Sequence, residues 1–363
     1  KSSSGKSSSG KSCWKKRRVS QSHWASEQNE VSSPVDQRTR LELMRNFGDF
    51  SLAYSTAVQP RLFHCGDNDG YVAWRARWGV TFALGDPVTE KDRVIPLLQR
   101  FIHERRGLTG QGPTFCQISR NTARRLHEMG YFVNEMGVDT TLYLREYDFA
   151  GKEKEWLRYA ANWTRRRNFK IRECTARELP PETVEEVSEA WRRTRTVKRK
   201  EVRFLNRPIV LDDEKDVRKF YLFDADEKLL AFVFLDPLYR DGELIGYVTA
   251  FKRRHPDAPQ YGEQAIMKHI IETLKEEDVS QLKLGLSPMA YLQDRRFRHS
   301  RLSSRAMQWC FDSGIINNWF YNVQGHAGYK RRFRGEEEKA YIASPVRFDL
   351  IRLCALVGLC GVA

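Results

Sequence analysis

The chain has 363 residues, 40% of them hydrophobic and 12% aromatic, enough to bury substantial cores and to form about two domains. No run reaches the roughly 18 apolar residues of a membrane-spanning helix. The seven cysteines show no CxxC pair and no metal-ligand spacing, so the expectation is free thiols in a reducing compartment without a metal centre. The net charge of +15 gathers at Arg165–Arg167, Arg192–Lys200, Lys252–Arg254, Arg295–Arg301 and Lys330–Arg334. Basic groups interleaved with aromatics suit nucleic acid or an anionic membrane surface; solvated helix faces explain some of these clusters but hardly all five.

Residues 1–40 open on KSSSGKSSSGKS, a polar repeat with too little apolar surface to offset its ordering entropy, and are expected to be disordered. The chain has no initiator Met and is expected to be the soluble part of something longer. From Leu41, LELMRNFG reads as a helix, and SLAYST and YVAWRARWGVTFALG read as strands around the turn-rich CGDNDG. VIPLLQRFIHERRG places Ile95, Leu98, Phe101 and Ile102 on one helical face. PTFCQIS, NTARRLHEMGYF and TTLYLREY then read as strand, helix and strand, with Gly130 stopping the helix. KEKEWLRYAANWTRRRNF is a helix with Trp156, Tyr159, Ala160 and Trp163 on its apolar side and Arg158, Asn162, Arg165 and Arg166 opposite. After the strand FKIREC and the helix ELPPETVEEVSEAWRRTR the pattern repeats: a hairpin turning at Asp224–Lys228, a strand ELIGYVTAFKRR, the amphipathic QAIMKHIIETLKEE, a strand QLKLGLSP and a helical MQWCFDSG.

The stretch WFYNVQGHAGYKRRFRGEEEKAYIAS (Trp319–Ser344) reads as strand, Gly-containing bend, basic segment and strand, a loop presenting cations beside a sheet edge. It suits a phosphate or a developing oxyanion, and equally a solvated basic turn. The tail VRFDLIRLCALVGLCGVA is apolar nearly all round but too short to span; it reads as a docking helix in preference to an interfacial anchor. The expected organisation is α/β with mixed sheets: a duplicated acyltransferase-like unit over 41–172 and 173–345, the 151–172 region between the two, and an apolar helix at 346–363.

Five stretches carry a resemblance in order: ALGDPV (Ala83–Val88), GVDTTLYLREYDFAGKEKEWLRYAANWTRRRNF (Gly137–Phe169), HPDAP (His255–Pro259), LKLGLSPMA (Leu282–Ala290) and FYNVQGHAGYKRRF (Phe320–Phe333). From about Leu41 onward the chain resembles the soluble catalytic region of the phosphatidylglycerol lysyltransferase (aminoacyl-phosphatidylglycerol synthase) family. The resemblance implies tandem GNAT-type folds that move an aminoacyl group from tRNA to a lipid hydroxyl without acetyl-CoA or other cofactor, at the inner face of the plasma membrane. Implied partners are aminoacyl-tRNA, an anionic phosphatidylglycerol-like lipid and the membrane surface. The family's catalytic lysine falls on Lys330, and the arginine before its Pro-Asp-Ala-Pro segment falls on Arg253. Arg158 and Asn162 fall on the matched helix and, with Arg165 and Arg166, are the expected tRNA contacts.

The sequence departs from the family at Ala250, where the family has an acid, and at Arg332, the second cation of a Lys-x-Lys pair; an acid opening the next helix is absent, with Glu263 nearby. The expected site puts Lys330 between the Pro256–Gly262 loop and the Gly285–Pro288 strand end, with Arg253 in reach. Ser287, Tyr329 and Arg332 are expected to line it, and Asp257 and Glu263 to hold the substrate's α-ammonium. A helix cap and a first-turn acid explain those two carboxylates as well. Two rivals stand beside this reading. A CoA-dependent acyltransferase wants a pyrophosphate loop, but PQYGEQA lacks the second small residue after Gly262. A non-enzymatic RNA- or membrane-binding protein accounts for the charge but not for the motif series.

Overall fold

A computed structural model describes residues 35–194, 203–293, 296–317 and 322–361. The polar repeat at 1–34, part of the Arg192–Lys200 cluster and the aromatic run Trp319–Tyr321 lie outside them. In chain order the elements are α1 (Gln37–Phe47), α2 (Ala53–Val58), β1 (Phe63–Asp67), β2 (Gly70–Arg77), β3 (Val80–Leu84), β4 (Val88–Thr89), α3 (Val94–Thr109), β5 (Thr114–Ile118), α4 (Arg120–Glu128), β6 (Phe132–Tyr143) and α5 (Glu155–Arg166). There follow β7 (Lys170–Glu173), α6 (Pro181–Thr194), β8 (Arg218–Phe223), β9 (Leu229–Arg240), β10 (Glu243–Arg254), α7 (Gly262–Glu276), β11 (Gln281–Pro288), α8 (Arg301–Asp312), α9 (Val323–Arg331), β12 (Glu336–Ser344) and α10 (Leu350–Cys360).

Twelve strands form one mixed sheet in the order β1-β2-β3-β5-β12-β6-β11-β10-β9-β8-β7, with β4 paired to β2. From either end the order runs through an antiparallel meander to a parallel pair, β3 with β5 and β10 with β11. Each parallel pair is joined by a crossover helix, α3 or α7, as parallel strands require. The last strand of each repeat crosses to the other: β12 lies between β5 and β6, and β6 lies between β12 and β11. The tandem α/β repeat expected from sequence is therefore present in the strand order. Its two halves share one sheet through the exchanged strands β6 and β12.

Two local readings are corrected. SLAYST is largely helical, because Ala53, Tyr54, Ser55, Thr56 and Ala57 are all buried and side chains buried on every side fit a short core helix better than an alternating strand. On α3 the buried stripe includes Leu98 and Phe101 together with Leu97, while Ile95 is exposed. The tail does form a docked helix. Asp349 caps α10 by accepting from Ile351 N at 2.8 Å, Ala355, Leu359 and Cys360 join the core with Phe82 and Leu84, and the buried Arg352 donates to Thr114 Oγ1 at 2.9 Å and Gln111 Oε1 at 2.7 Å.

The exchange depends on Gly137, where β6 meets β11 and β12 at once. Its φ is +152°, and a Cβ there would stand 2.2 Å from Ser287 O. Gly137→Val must open that seam. It is expected to lower stability by about 2–3 kcal/mol or more, read as a reduced urea midpoint; an unchanged midpoint would show that the seam can shift to accept a side chain.

Candidate active site at the splay of the second parallel pair

The register of β10 with β11 ends at Val248↔Lys283. Beyond it Gly285 takes φ +76°, a left-handed conformation that costs glycine little, and the two parallel strands part. Such partings at the carboxyl ends of parallel strands are where α/β sheets open crevices. The lysine of the motif series reaches this parting from α9.

The expected loop around that lysine is a helix instead. Asn322 Oδ1 accepts from Gly325 N at 2.7 Å and caps α9, so Gly325 and Gly328 lie within helical turns and the segment through Arg331 continues them. Helical spacing buries Val323, Ala327 and Lys330 on one side. Lys330 is only 8% exposed. Its Nζ donates to Gly285 O at 2.9 Å and Leu286 O at 2.8 Å. Burial, reinforced by the nearby Lys252 ammonium and opposed by Asp139, pulls its pKa down to about 7.

Around Lys330 the structure gathers several side chains. Lys252 Nζ lies 4.1 Å from the centre of the Tyr329 ring and 3.1 Å from Glu263 Oε1. Burial raises the Glu263 carboxyl, but the Lys252 ammonium outweighs it and leaves the pKa below the ordinary value. Burial and the Glu263 charge hold the Tyr329 hydroxyl well above its ordinary range. Ser287 is buried on β11, and its Oγ makes no hydrogen bond among the described residues.

Other expected site residues sit elsewhere. Asp257 is exposed, 3.3 Å from His255 Nδ1 and 3.8 Å from Lys228 Nζ. It does not cap α7, whose N-cap residue is Tyr261. Glu263 does occupy the first turn of α7, so its position at the helix N-terminus and its ion pair both favour its charge. Arg253 is buried on β10 with its guanidinium 5.0 Å from the Trp191 ring and 5.8 Å from that of Phe251. Arg332 is exposed and stacks 4.1 Å over Trp156. On α5 the buried residues are Leu157, Ala160 and Thr164. Of the apolar side expected for α5, Ala160 is buried and Trp156 packs against the core at Phe333, while Tyr159 and Trp163 meet Tyr261. Arg158 donates to Phe149 O and Gly151 O, Asn162 accepts from Arg165 at 3.1 Å, and Arg165 and Arg166 are exposed.

Two residues of this site were not singled out from sequence. Lys252 is hidden inside the run FKRR, where strand alternation alone separates it from Arg253. Asp139 lies in the matched GVDTT stretch but pairs across strands with Leu286, a contact with no local signature. Its Oδ2 accepts from Ser51 Oγ; its Oδ1 is buried with no hydrogen-bond partner among the described residues. A buried carboxylate oxygen left this way is costly unless something else binds it.

Residues 41–344 match the family described as "Phosphatidylglycerol lysyltransferase, C-terminal". The chain belongs to this family. A phosphatidylglycerol lysyltransferase of Bacillus subtilis (strain 168) is 25% identical over 268 residues, 72% of this chain and 29% of that protein. A lysylphosphatidylglycerol biosynthesis bifunctional protein LysX of Nocardia farcinica is 26% identical over 200 residues, covering 52% and 16%. The chain thus spans under a third of the length of these curated relatives. In fold it is similar to the L-PGS structure from Bacillus licheniformis (TM-score 0.76, 18% identity, 92% and 99% of the two chains covered). It is similar also to the C-terminal domain of a putative lysylphosphatidylglycerol synthetase from Agrobacterium fabrum (TM-score 0.72, 19% identity, 90% and 99%). In this family member the matched region ends with β12, and α10 lies beyond it.

Proposed function

We propose that the protein transfers an aminoacyl group from aminoacyl-tRNA to a hydroxyl of an anionic, phosphatidylglycerol-like lipid at the cytoplasmic face of a membrane. The observation that carries the reading is the buried Lys330 ammonium at the β10–β11 parting, on the residue where the family resemblance places its catalytic lysine. Two of its three N–H groups are fixed on Gly285 O and Leu286 O, which leaves the third with a set direction. Aminoacyl esters are already activated, so catalysis consists of orienting the acceptor and stabilising charge. The lipid hydroxyl oxygen attacks the ester carbonyl and loses its proton, and Lys330 donates to the oxyanion. The bond to the terminal ribose oxygen then breaks, and that oxygen takes a proton.

The exposed Arg165 and Arg166 on α5 are assigned to the RNA backbone, whose phosphates bind such groups in a salt-dependent way. The free Oδ1 of Asp139 is assigned to the substrate's α-ammonium, alongside Glu263. Asp139→Asn is expected to raise the KM for aminoacyl-tRNA with a smaller change in kcat; a pure loss of kcat would place Asp139 in the chemistry instead. The reading as a whole is tested by incubating the protein with labelled aminoacyl-tRNA and phosphatidylglycerol vesicles. Label is expected in the extracted lipid, and none with phosphatidylcholine vesicles. Label that stays in the aqueous phase in both cases would overturn it.

A further inference from the structure

None of the twelve residues of α8 is buried. The helix is seated mainly by polar ties. Ser300 Oγ caps it by accepting from Ser303 N at 3.1 Å, and Asn134 Nδ2 donates to Ser300 O at 3.0 Å and Ser304 Oγ at 2.9 Å. Phe311 packs inward, against the cluster containing Ala327 of α9. The opposite face carries Leu302, 56% exposed, and Trp309, 64% exposed, at i and i+7, with Arg305 between them. Arg296, Arg298 and Arg301 are exposed alongside, and Asp312 is the single carboxylate of the described residues 296–317. A shallow cleft of about 260 Å³, lined by His299, Arg301, Ser304, Arg305 and Gln308, runs along the N-terminal half.

We propose that this face of α8 docks on an anionic bilayer surface. Leu302 and Trp309 enter the headgroup–acyl boundary, and the arginines engage lipid phosphates. An RNA backbone would use the arginines but leave two large apolar side chains in water. A second copy of the chain would bring like charges together. A bilayer satisfies both sets at once: apolar residues and tryptophan favour the interface, and each cation near an anionic leaflet adds to binding. The seat is coupled to the catalytic helix through Asn317. Its Nδ2 donates to Phe311 O at 2.7 Å and Ser313 O at 2.9 Å, and its Oδ1 accepts from Gln324 N of α9 at 3.0 Å. Docking α8 therefore holds the helix that carries Lys330 beside the bilayer. Its use rests on the transfer reading above; its existence does not.

The test is sedimentation of the whole chain, without tRNA, with phosphatidylcholine vesicles and with vesicles containing phosphatidylglycerol. Wild type is expected to bind the latter selectively, and Leu302→Glu/Trp309→Glu to lose binding by tenfold or more, on the order expected for two large apolar side chains kept in water. Its thermal midpoint should not change, because neither side chain is buried. Arg301→Gln/Arg305→Gln serves as an independent variant and should weaken binding chiefly at low salt. The apolar pair should also lose transfer to vesicles while keeping transfer to a short-chain, water-soluble phosphatidylglycerol. Vesicle binding unchanged in both variants overturns the proposal. So does a loss confined to tRNA affinity, or a loss of self-association with vesicle binding intact. If wild type binds vesicles but transfers nothing to either lipid, the transfer reading fails and the docking surface stands.

Discussion

Lys330→Ala is expected to reduce aminoacyl transfer by a hundred-fold or more while leaving tRNA affinity nearly unchanged. The size of the effect is that of removing one oxyanion donor from a water-poor site. On the transfer reading, affinity for RNA comes from many exposed cations, and one buried lysine among the basic clusters barely alters that field. The same side chain also bridges Gly285 O and Leu286 O, so alanine leaves two carbonyls without their donor and shifts the β11 end. Lys330→Met keeps the packing volume while losing the charge and the donors, so it separates the cavity left by alanine from loss of the ammonium. Equal losses in both variants place the effect in the ammonium and not in lost packing. Near-normal turnover in either would reduce Lys330 to a clamp on the strand end.

The largest expected loss of stability is at Arg207, far from any motif. Its guanidinium is 2% exposed. It donates to Asp236 at 2.8 Å through Nη2 and to Glu214 at 3.0 Å through both Nη1 and Nη2. It also lies 5.2 Å from the Tyr54 ring and 5.3 Å from that of Phe251. One side chain thus ties α2, the segment before β8, β9 and β10 together. Arg207→Ala leaves two carboxylates in an apolar surrounding, and breaking such a pair costs about 3–5 kcal/mol. Burial already holds the Glu214 carboxyl above its ordinary pKa, so protonation in the variant relieves part of the cost, and stability should recover as pH falls. Urea unfolding at two pH values reads both effects. A loss under about 1 kcal/mol would show that the network is reached by solvent.

Much of the fold was legible in the chain because each repeat alternates elements with clear periods. The alternating Tyr, Val, Trp and Phe residues of β2 and β3, and the stripe Ile266, Ile270, Leu274 of α7, are local signals. The exchange of β6 and β12 was not, since strand partners 138 or more residues apart leave no mark on either segment; the glycine demanded by that seam, Gly137, is a trace of it. The loop expected around Lys330 became α9 because Gly325 and Gly328 read as turn residues, whereas Asn322 supplied a cap and the burial of Val323, Ala327 and Lys330 overrode propensity. Lys330 itself was reachable through the motif series. Asp139 and Lys252 were not, since their meaning lies in what the neighbouring strands bring beside them. Asp257 looked like a site residue for its place in HPDAP, yet the loop turns it outward to Lys228 and His255.

The pH dependence of single-turnover transfer between about pH 6 and 8.5, corrected for spontaneous loss of the aminoacyl ester, tests the role of Lys330 most directly. With its pKa drawn down to about 7 by burial, the ammonium is complete below that value and is lost as pH climbs through it. An oxyanion donor needs the charged form, so the rate is expected to hold up to about 7 and then to fall by roughly tenfold per unit. Lys330→Arg, which stays charged throughout, should give a lower rate without that fall. A wild-type rate that rises through pH 7 would mean that the neutral amine acts as a base. A rate unaffected by pH would mean that Lys330 takes no part in the reaction.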